Sequence, residues 1–378
     1  MAINNELLKQ MASACNIEQT GVVTTDPLTY MQPRLKRRID EKRITPFEEK
    51  DPARRISAKH LFNSCQSIIV IALPYAAPKK DPPLRTAEPR GTVARCARSV
   101  DYHKLIEARA AKLAGLLEKN TTGNINPKIY CDRSPLLERE LAFKAGLGLI
   151  GENCTLINRH YGSYITIGTI LLDKKIEPEK QTPLKKHCLR CGKCQKACPT
   201  GAITEPYILN PYRCLSYLTQ AKETFPRNLR SSLGKRIYGC DTCQEVCPLN
   251  QNRQSSPHPE AAFSFFPAEP LLFPLLEISQ KEFKLSIELT SAGWRGKTTL
   301  QRNAVIALGN SGDQAAVPLL ARFLKNDPRP VIRVHAAWSL GRLGGNKACF
   351  ALDKSLINDP EAEVKKEARL ALSEQDNQ

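Results

Sequence analysis

Apolar residues recur at helical spacing from Asp101 to Lys119 and from Leu136 to Leu147, whereas Ser67 to Leu73 and Tyr161 to Leu172 are β-rich runs of strand length. This mixture predicts an α+β domain over residues 1–183. Inside it, the proline-rich, charged stretch Ala76 to Gly91 reads as a long loop beside a site or over one. From 184 to 254 the pattern breaks into short turns punctuated by proline, glycine and cysteine, as in a module fixed by metal bonds rather than by apolar burial. A Pro-rich linker, Ser255 to Pro274, opens the last segment, 255–378, where the pattern repeats itself. Ala307-Leu308-Gly309 returns as Ser339-Leu340-Gly341, and Asn326-Asp327-Pro328 as Asn358-Asp359-Pro360, both 32 residues on. A third copy begins near Val364 and fades at Ala371-Leu372, which predicts stacked helix pairs.

A chain of 378 residues suits two or three cores rather than one. Met1 to Ile17 has no signal-peptide core, and the most apolar stretch falls far short of the roughly 20 residues that span a bilayer, so a cytoplasmic protein with no membrane association is expected. The net charge of +18 favours a polyanionic partner, since phosphates paired with Lys or Arg release counterions. Within the helical repeats, which are HEAT-like, Arg295, Lys297, Arg302, Arg329 and Arg333 could form such a face; a packing scaffold is the alternative.

Of the 14 cysteines, eight crowd between Cys188 and Cys247, which points to metal rather than to disulfides. The other six, Cys15, Cys65, Cys96, Cys131, Cys154 and Cys349, are scattered and read as buried or inert thiols. Cys188-x2-Cys191-x2-Cys194-x3-Cys198-Pro199 is the bacterial ferredoxin run, in which the fourth thiolate reaches across to a second cluster. Cys240-x2-Cys243-x3-Cys247-Pro248 supplies the return half, and Cys214 completes eight. Cross-ligation predicts one 4Fe–4S cluster on Cys188, Cys191, Cys194 and Cys247, and another on Cys198, Cys214, Cys240 and Cys243. Zinc prefers two Cys pairs about 12 to 20 residues apart and fits this spacing poorly.

An electron relay needs an acceptor, yet the chain has no Gly-x-Gly-x-x-Gly after a strand and no Gly-x4-Gly-Lys-Ser/Thr. Asp101-x-His103 begins like a cobalamin-ligating motif, but Ile106 stands where its glycine belongs.

Three stretches resemble epoxyqueuosine reductase: Asp101-Tyr102-His103; Asp132 to Gly151 leading into Gly162-Ser163-Tyr164; and Ile237-Tyr238-Gly239-Cys240-Asp241-Thr242-Cys243-Gln244. Gly293-Trp294-Arg295-Gly296 agrees with them, and the likeness runs over nearly the whole chain. The resemblance implies reduction of the epoxide of epoxyqueuosine in the tRNA anticodon, with base-off cobalamin fed by the two clusters. It implies an α+β fold with an N-terminal α/β cobalamin-binding domain, a ferredoxin-like two-cluster domain and C-terminal HEAT-like repeats contacting tRNA. Asp132 is implied as proton donor, because an opening epoxide leaves an alkoxide that an acid within hydrogen-bond reach must protonate. Arg55, Ala94, Asp132, Leu156, Ile167, Asp241 and Thr242 are implied as cobalamin contacts. Tyr102 and His103 either line the site or start a helix, and His187, next to the first ligand, reads as a surface residue or as one that supports that ligand from behind. The partners expected are the tRNA anticodon stem-loop and a low-potential donor such as flavodoxin or ferredoxin, on a monomer. The alternatives are an iron–sulfur carrier subunit, which would hold clusters but no corrin, and a cobalamin-dependent reductive dehalogenase, which would leave the charge and the repeats unexplained.

Overall fold

The computed structural model describes all residues except 1–2, 76–87, 122–123, 180–187, 252, 263 and 376–378. Most of the expected Ala76 to Gly91 loop, and His187, therefore lie outside the described residues. The chain forms two units: residues 1–78, 100–212 and 242–263 in one, and residues 79–99, 213–241 and 264–378 in the other.

The first unit is built on a four-stranded antiparallel sheet, ordered Gln19–Val23, Ser67–Pro74, Ile165–Leu172, Lys128–Tyr130. Ser67–Pro74 is buried along its whole length, which is why it reads as a continuous apolar run. Its side chains alternate between two cores, as a period of two demands. Ile69, Ile71 and Leu73 pack with Ile106, Leu113 and Leu117 of the helix Tyr102–Asn120. Ile68, Val70 and Ala72 pack with Leu141 and Ala142 of the helix Glu138–Lys144. Ile106 abuts Gly168, where a Cβ would lie 2.4 Å from its side chain, so that position serves packing. The second helix starts at Glu138, after the chain has turned through a left-handed residue, Asp132, with φ of 55°.

The second unit carries the repeats as five helices: Lys297–Ser311, Val317–Asn326, Pro330–Leu343, Asn346–Asn358 and Ala362–Gln375. The first, third and fifth pack in succession, and the repeated glycine marks each crossing. A Cβ on Gly309 would lie 2.6 Å from the Ser339 side chain, and one on Gly341 2.6 Å from that of Ala371. The repeated Asn-Asp-Pro places Asp327 and Asp359 where each accepts from a backbone N–H at the start of the next helix, that of Arg329 and of Glu361.

These same aspartates correct the expected basic face. Arg329 is paired with Asp327, and Arg333 is buried against Asp359 at 2.8 Å. Arg302, 1% exposed, donates to the carbonyls of Leu218, Ala221 and Glu223. Desolvation pulls its pKa down to about 10, and its role is to satisfy buried carbonyls rather than to meet phosphate.

Candidate active site and cluster cysteines

The edge strand Lys128–Tyr130 ends at Cys131 and Asp132, and the helix beginning at Tyr102 brings Tyr102 and His103 to meet them. Asp101 caps that helix, accepting from the His103 backbone N–H at 3.1 Å. Its carboxylate also meets His103 Nδ1 at 2.6 Å. Burial opposes ionisation of Asp101, but the hydrogen bond and charge of His103 hold its carboxyl below the usual range. With Nδ1 so engaged, His103 Nε2 lies 3.9 Å from Asp132 Oδ2. Tyr102 is stacked on the His103 ring, and its hydroxyl donates to Asp132 Oδ2 at 2.6 Å. Tyr102 and His103 thus both start the helix and line the site.

Asp132 is exposed, with 54% of its side chain open to solvent. It does not cap a helix. Its own backbone N–H donates to both carboxyl oxygens of Glu138, at 3.1 and 3.2 Å. Desolvation first, then the charge of Asp132, push the Glu138 carboxyl well above the usual range. Cys131 is buried, and burial together with the charges of Asp132, Glu138, Asp101 and Glu107 pushes its thiol up and keeps it protonated. One polar atom from each of His103, Cys131 and Asp132 lies within 4.8 Å of the other two.

The thiols have their own scaffold. Arg190 and Gly192 take left-handed backbone, turning the chain between Cys188, Cys191 and Cys194 into the helix Lys193–Ala197. That helix packs on Thr242–Glu245, which carries Cys243. Burial raises the Cys247 thiol and the charges of Cys188 and Cys191 add to it, so these three sulfurs are neighbours across more than fifty residues of chain. The Ala202 N–H donates to Cys198 Sγ at 3.2 Å, a backbone bond suited to a thiolate. Ser163 donates to Gln244 Oε1 at 2.8 Å, and Asn250 donates to the Gln244 carbonyl at 2.7 Å, so the returning loop is held by Gly162-Ser163. A Cβ on Gly162, at φ of 62°, would collide with the Asn250 side chain.

In the second unit Cys240 packs against an apolar cluster that includes Leu215, the residue after Cys214, together with Leu218, Phe225 and Trp338. Tyr238 accepts a hydrogen bond from Trp294 Nε1 at 2.9 Å, tying Ile237-Tyr238-Gly239 to Gly293-Trp294-Arg295. Asp241 accepts from the Arg95 N–H at 2.8 Å, and Ala94 lies against Gly239, where a Cβ would approach it to 2.5 Å. In the first unit Leu156 and Ile167 share one apolar core. Arg55 is paired with Glu48 at 3.0 Å, and its Nε is buried with no partner among the described residues. Cys15, Cys65 and Cys131 are buried, Cys96, Cys154 and Cys349 half-buried, and no disulfide joins the described residues. Glu138, Ser163 and Asn250 are site residues to which the sequence pattern assigns no role.

An acid pair beside a phenol and an imidazole, in a chain whose thiols follow the two-cluster ferredoxin spacing, defines an iron–sulfur oxidoreductase. Residues 55–133 match the family described as Epoxyqueuosine reductase QueG, DUF1730; residues 187–250 match the 4Fe-4S double cluster binding domain, and 296–373 match HEAT repeats. The chain is 38% identical to epoxyqueuosine reductase of Bacillus subtilis (strain 168) over 363 residues, 96% of this chain and 93% of that one. It superposes with a TM-score of 0.93 and 36% identity on an epoxyqueuosine reductase crystallised with an epoxyqueuosine-modified tRNA-Tyr stem loop, covering 98% of each. A Bacillus subtilis epoxyqueuosine reductase structure whose aspartate-bearing catalytic loop is swung out of the active site matches with a TM-score of 0.91 at 36% identity, again over 98% of each. The chain belongs to the epoxyqueuosine reductase family of oxidoreductases, and it carries a domain for two 4Fe–4S clusters.

Proposed function

We propose that this chain reduces the epoxide of epoxyqueuosine in the anticodon of tRNA to the alkene of queuosine, with Asp132 as the proton donor. The observation that carries the role of Asp132 is its setting: an exposed carboxyl on a left-handed turn, held by the Tyr102 hydroxyl and by Glu138. The catalytic-loop aspartate of the Bacillus subtilis relative supports the same reading. Opening the epoxide leaves charge on oxygen, and a positioned acid speeds that step on the order of 10² to 10⁴-fold.

One cluster sits on Cys188, Cys191, Cys194 and Cys247; the grouping of three of these sulfurs supports this set. The other sits on Cys198, Cys214, Cys240 and Cys243, a set that rests on spacing and on the matching two-cluster domain. Cobalamin is held by Arg55, Ala94, Asp132, Leu156, Ile167, Asp241 and Thr242; the unpartnered Arg55 Nε suits a polar atom of such a ligand. When bound, the clusters and cobalamin supply the low-potential electrons that the reduction consumes. Tyr102 orients the Asp132 carboxyl through its hydroxyl, and Asp101 fixes which His103 nitrogen faces it.

Residues 1–183 form the cobalamin-binding part, 184–254 the cluster part, and 255–378 the helical part that contacts tRNA. A crystallised relative bound to a modified tRNA stem loop supports that partner. Among the described residues no helix is long and apolar enough to cross a membrane. A cytoplasmic monomer receiving electrons from flavodoxin or ferredoxin completes the reading.

The test supplies cobalamin, a low-potential reductant and epoxyqueuosine-containing tRNA, then analyses the nucleosides by mass spectrometry. Loss of one oxygen mass is expected, and Asp132→Asn abolishes it while keeping iron and corrin. Clusters without corrin or conversion would instead mark an electron carrier.

A further inference from the structure

Turning an epoxide into an alkene takes up two electrons and two protons and releases water. The electrons belong to the established reduction. Of the two protons, Asp132 can carry one, and once its carboxyl touches the substrate oxygen the substrate covers its path to solvent.

We propose that Glu138 is the proton store behind Asp132, and also the positioning residue that holds it: it keeps inside the protein the proton that the two carboxyls share, passes it to Asp132 as the epoxide opens, and anchors the Asp132 backbone. The claim rests on the reading of Asp132 as proton donor. Its geometry is independent of that reading. Both Glu138 oxygens receive the Asp132 N–H, which ties the left-handed turn to the helix Glu138–Lys144. The groups facing the pair are Asp132 and Cys131 at the strand end, Arg139 on the same helix, and Asp101, Tyr102, His103 and Glu107 from the helix opposite. Most are acidic or neutral; Arg139, the cation that acts on Glu138, is too weak to keep its carboxyl ionised against burial and the Asp132 charge. Two carboxyls in contact share a proton in preference to ionising together, so the pair holds one proton above the pH at which an ordinary glutamate would lose it.

The transfer balances. The Glu138 acid gives its proton to the Asp132 carboxylate, and Asp132 passes it to the alkoxide, leaving Glu138 ionised; the departing hydroxide takes the second proton from solvent as the product leaves, and the pair reloads its one proton through exposed Asp132.

The experiment compares the holoenzyme with Glu138→Gln, Glu138→Asp and Asp132→Asn over a range of pH, using epoxyqueuosine-containing tRNA. Gln still accepts the Asp132 N–H but stores no proton. Glu138→Gln is expected to lower kcat on the order of 10²-fold with KM for tRNA and iron content unchanged. It should also move the alkaline limb of the kcat profile to lower pH, because the carboxyl whose burial retains the shared proton is gone. Glu138→Asp should recover part of both. In the infrared, the resting wild-type enzyme should show a protonated carboxylic-acid carbonyl band at neutral pH that Glu138→Gln lacks. A Glu138→Gln enzyme with wild-type kcat and pH limb, or a wild-type spectrum without that band, overturns the proposal. An active Asp132→Asn enzyme overturns the proton-donor reading beneath it, whereas an inactive one beside an unaltered Glu138→Gln sinks this inference alone.

Discussion

At Asp132 the backbone takes a left-handed conformation that costs a non-glycine residue roughly 1 to 2 kcal/mol. The strain is held by named bonds, from its N–H to Glu138 and from Tyr102 to its carboxylate. Asp132→Gly relieves that strain while deleting the acid, so thermal unfolding should show a melting temperature at or above wild type in an enzyme with no turnover. Tyr102→Phe removes only the donor to the carboxylate, a bond to a charged group worth about 1.5 to 3 kcal/mol. Its kcat should fall roughly tenfold or more, with iron content and KM unchanged. The sequence marks Asp132 through its family likeness, and Tyr102 and His103 as neighbours of a helix start. It offers no sign of Glu138, because the contact depends on a turn that no periodicity announces.

Among the elements, the inner repeat helices are packed at glycine. Gly341→Ala puts a methyl 2.6 Å from Ala371, and overpacking of this kind costs about 1 to 3 kcal/mol, so the variant should melt several degrees lower by calorimetry. On the third repeat helix, His335 is fully buried, accepting from the Phe225 N–H at 3.1 Å. Burial, then the charges of Arg230 and Arg302, hold its pKa well below the usual range. Above about pH 6.5 the ring is neutral whether folded or unfolded, and nothing changes. As pH falls below that value only the unfolded chain takes up the proton, so stability drops with acid. Melting temperatures followed from about pH 7.5 down to about 5 should show this loss, and His335→Gln should flatten it. The 32-residue offset is enough to expose the repeats, since each helix must bury the same face. It could not tell that Asp327 and Asp359 engage Arg329 and Arg333.

For the molecule as a whole, the +18 charge remains the strongest indication of a polyanion. With Arg302, Arg329 and Arg333 engaged internally, the free energy of tRNA binding must come from other basic side chains. About six phosphate contacts would weaken binding about 10³-fold between roughly 50 and 200 mM salt, a slope that filter binding or anisotropy can measure. Arg302→Met should leave that slope unchanged while lowering the melting temperature, because its loss strands carbonyls rather than phosphates. By itself the sequence determined the metal chemistry, since thiols at three-residue steps can converge on one cluster within a single turn of chain, and it determined the repeats and the family in the same local way. Only the tertiary structure decided which charges are neutralised inside and which carboxyls share a proton. Those outcomes depend on burial and on partners that folding brings together, as Arg302 meets the carbonyls of Leu218 and Ala221, more than eighty residues away in the chain.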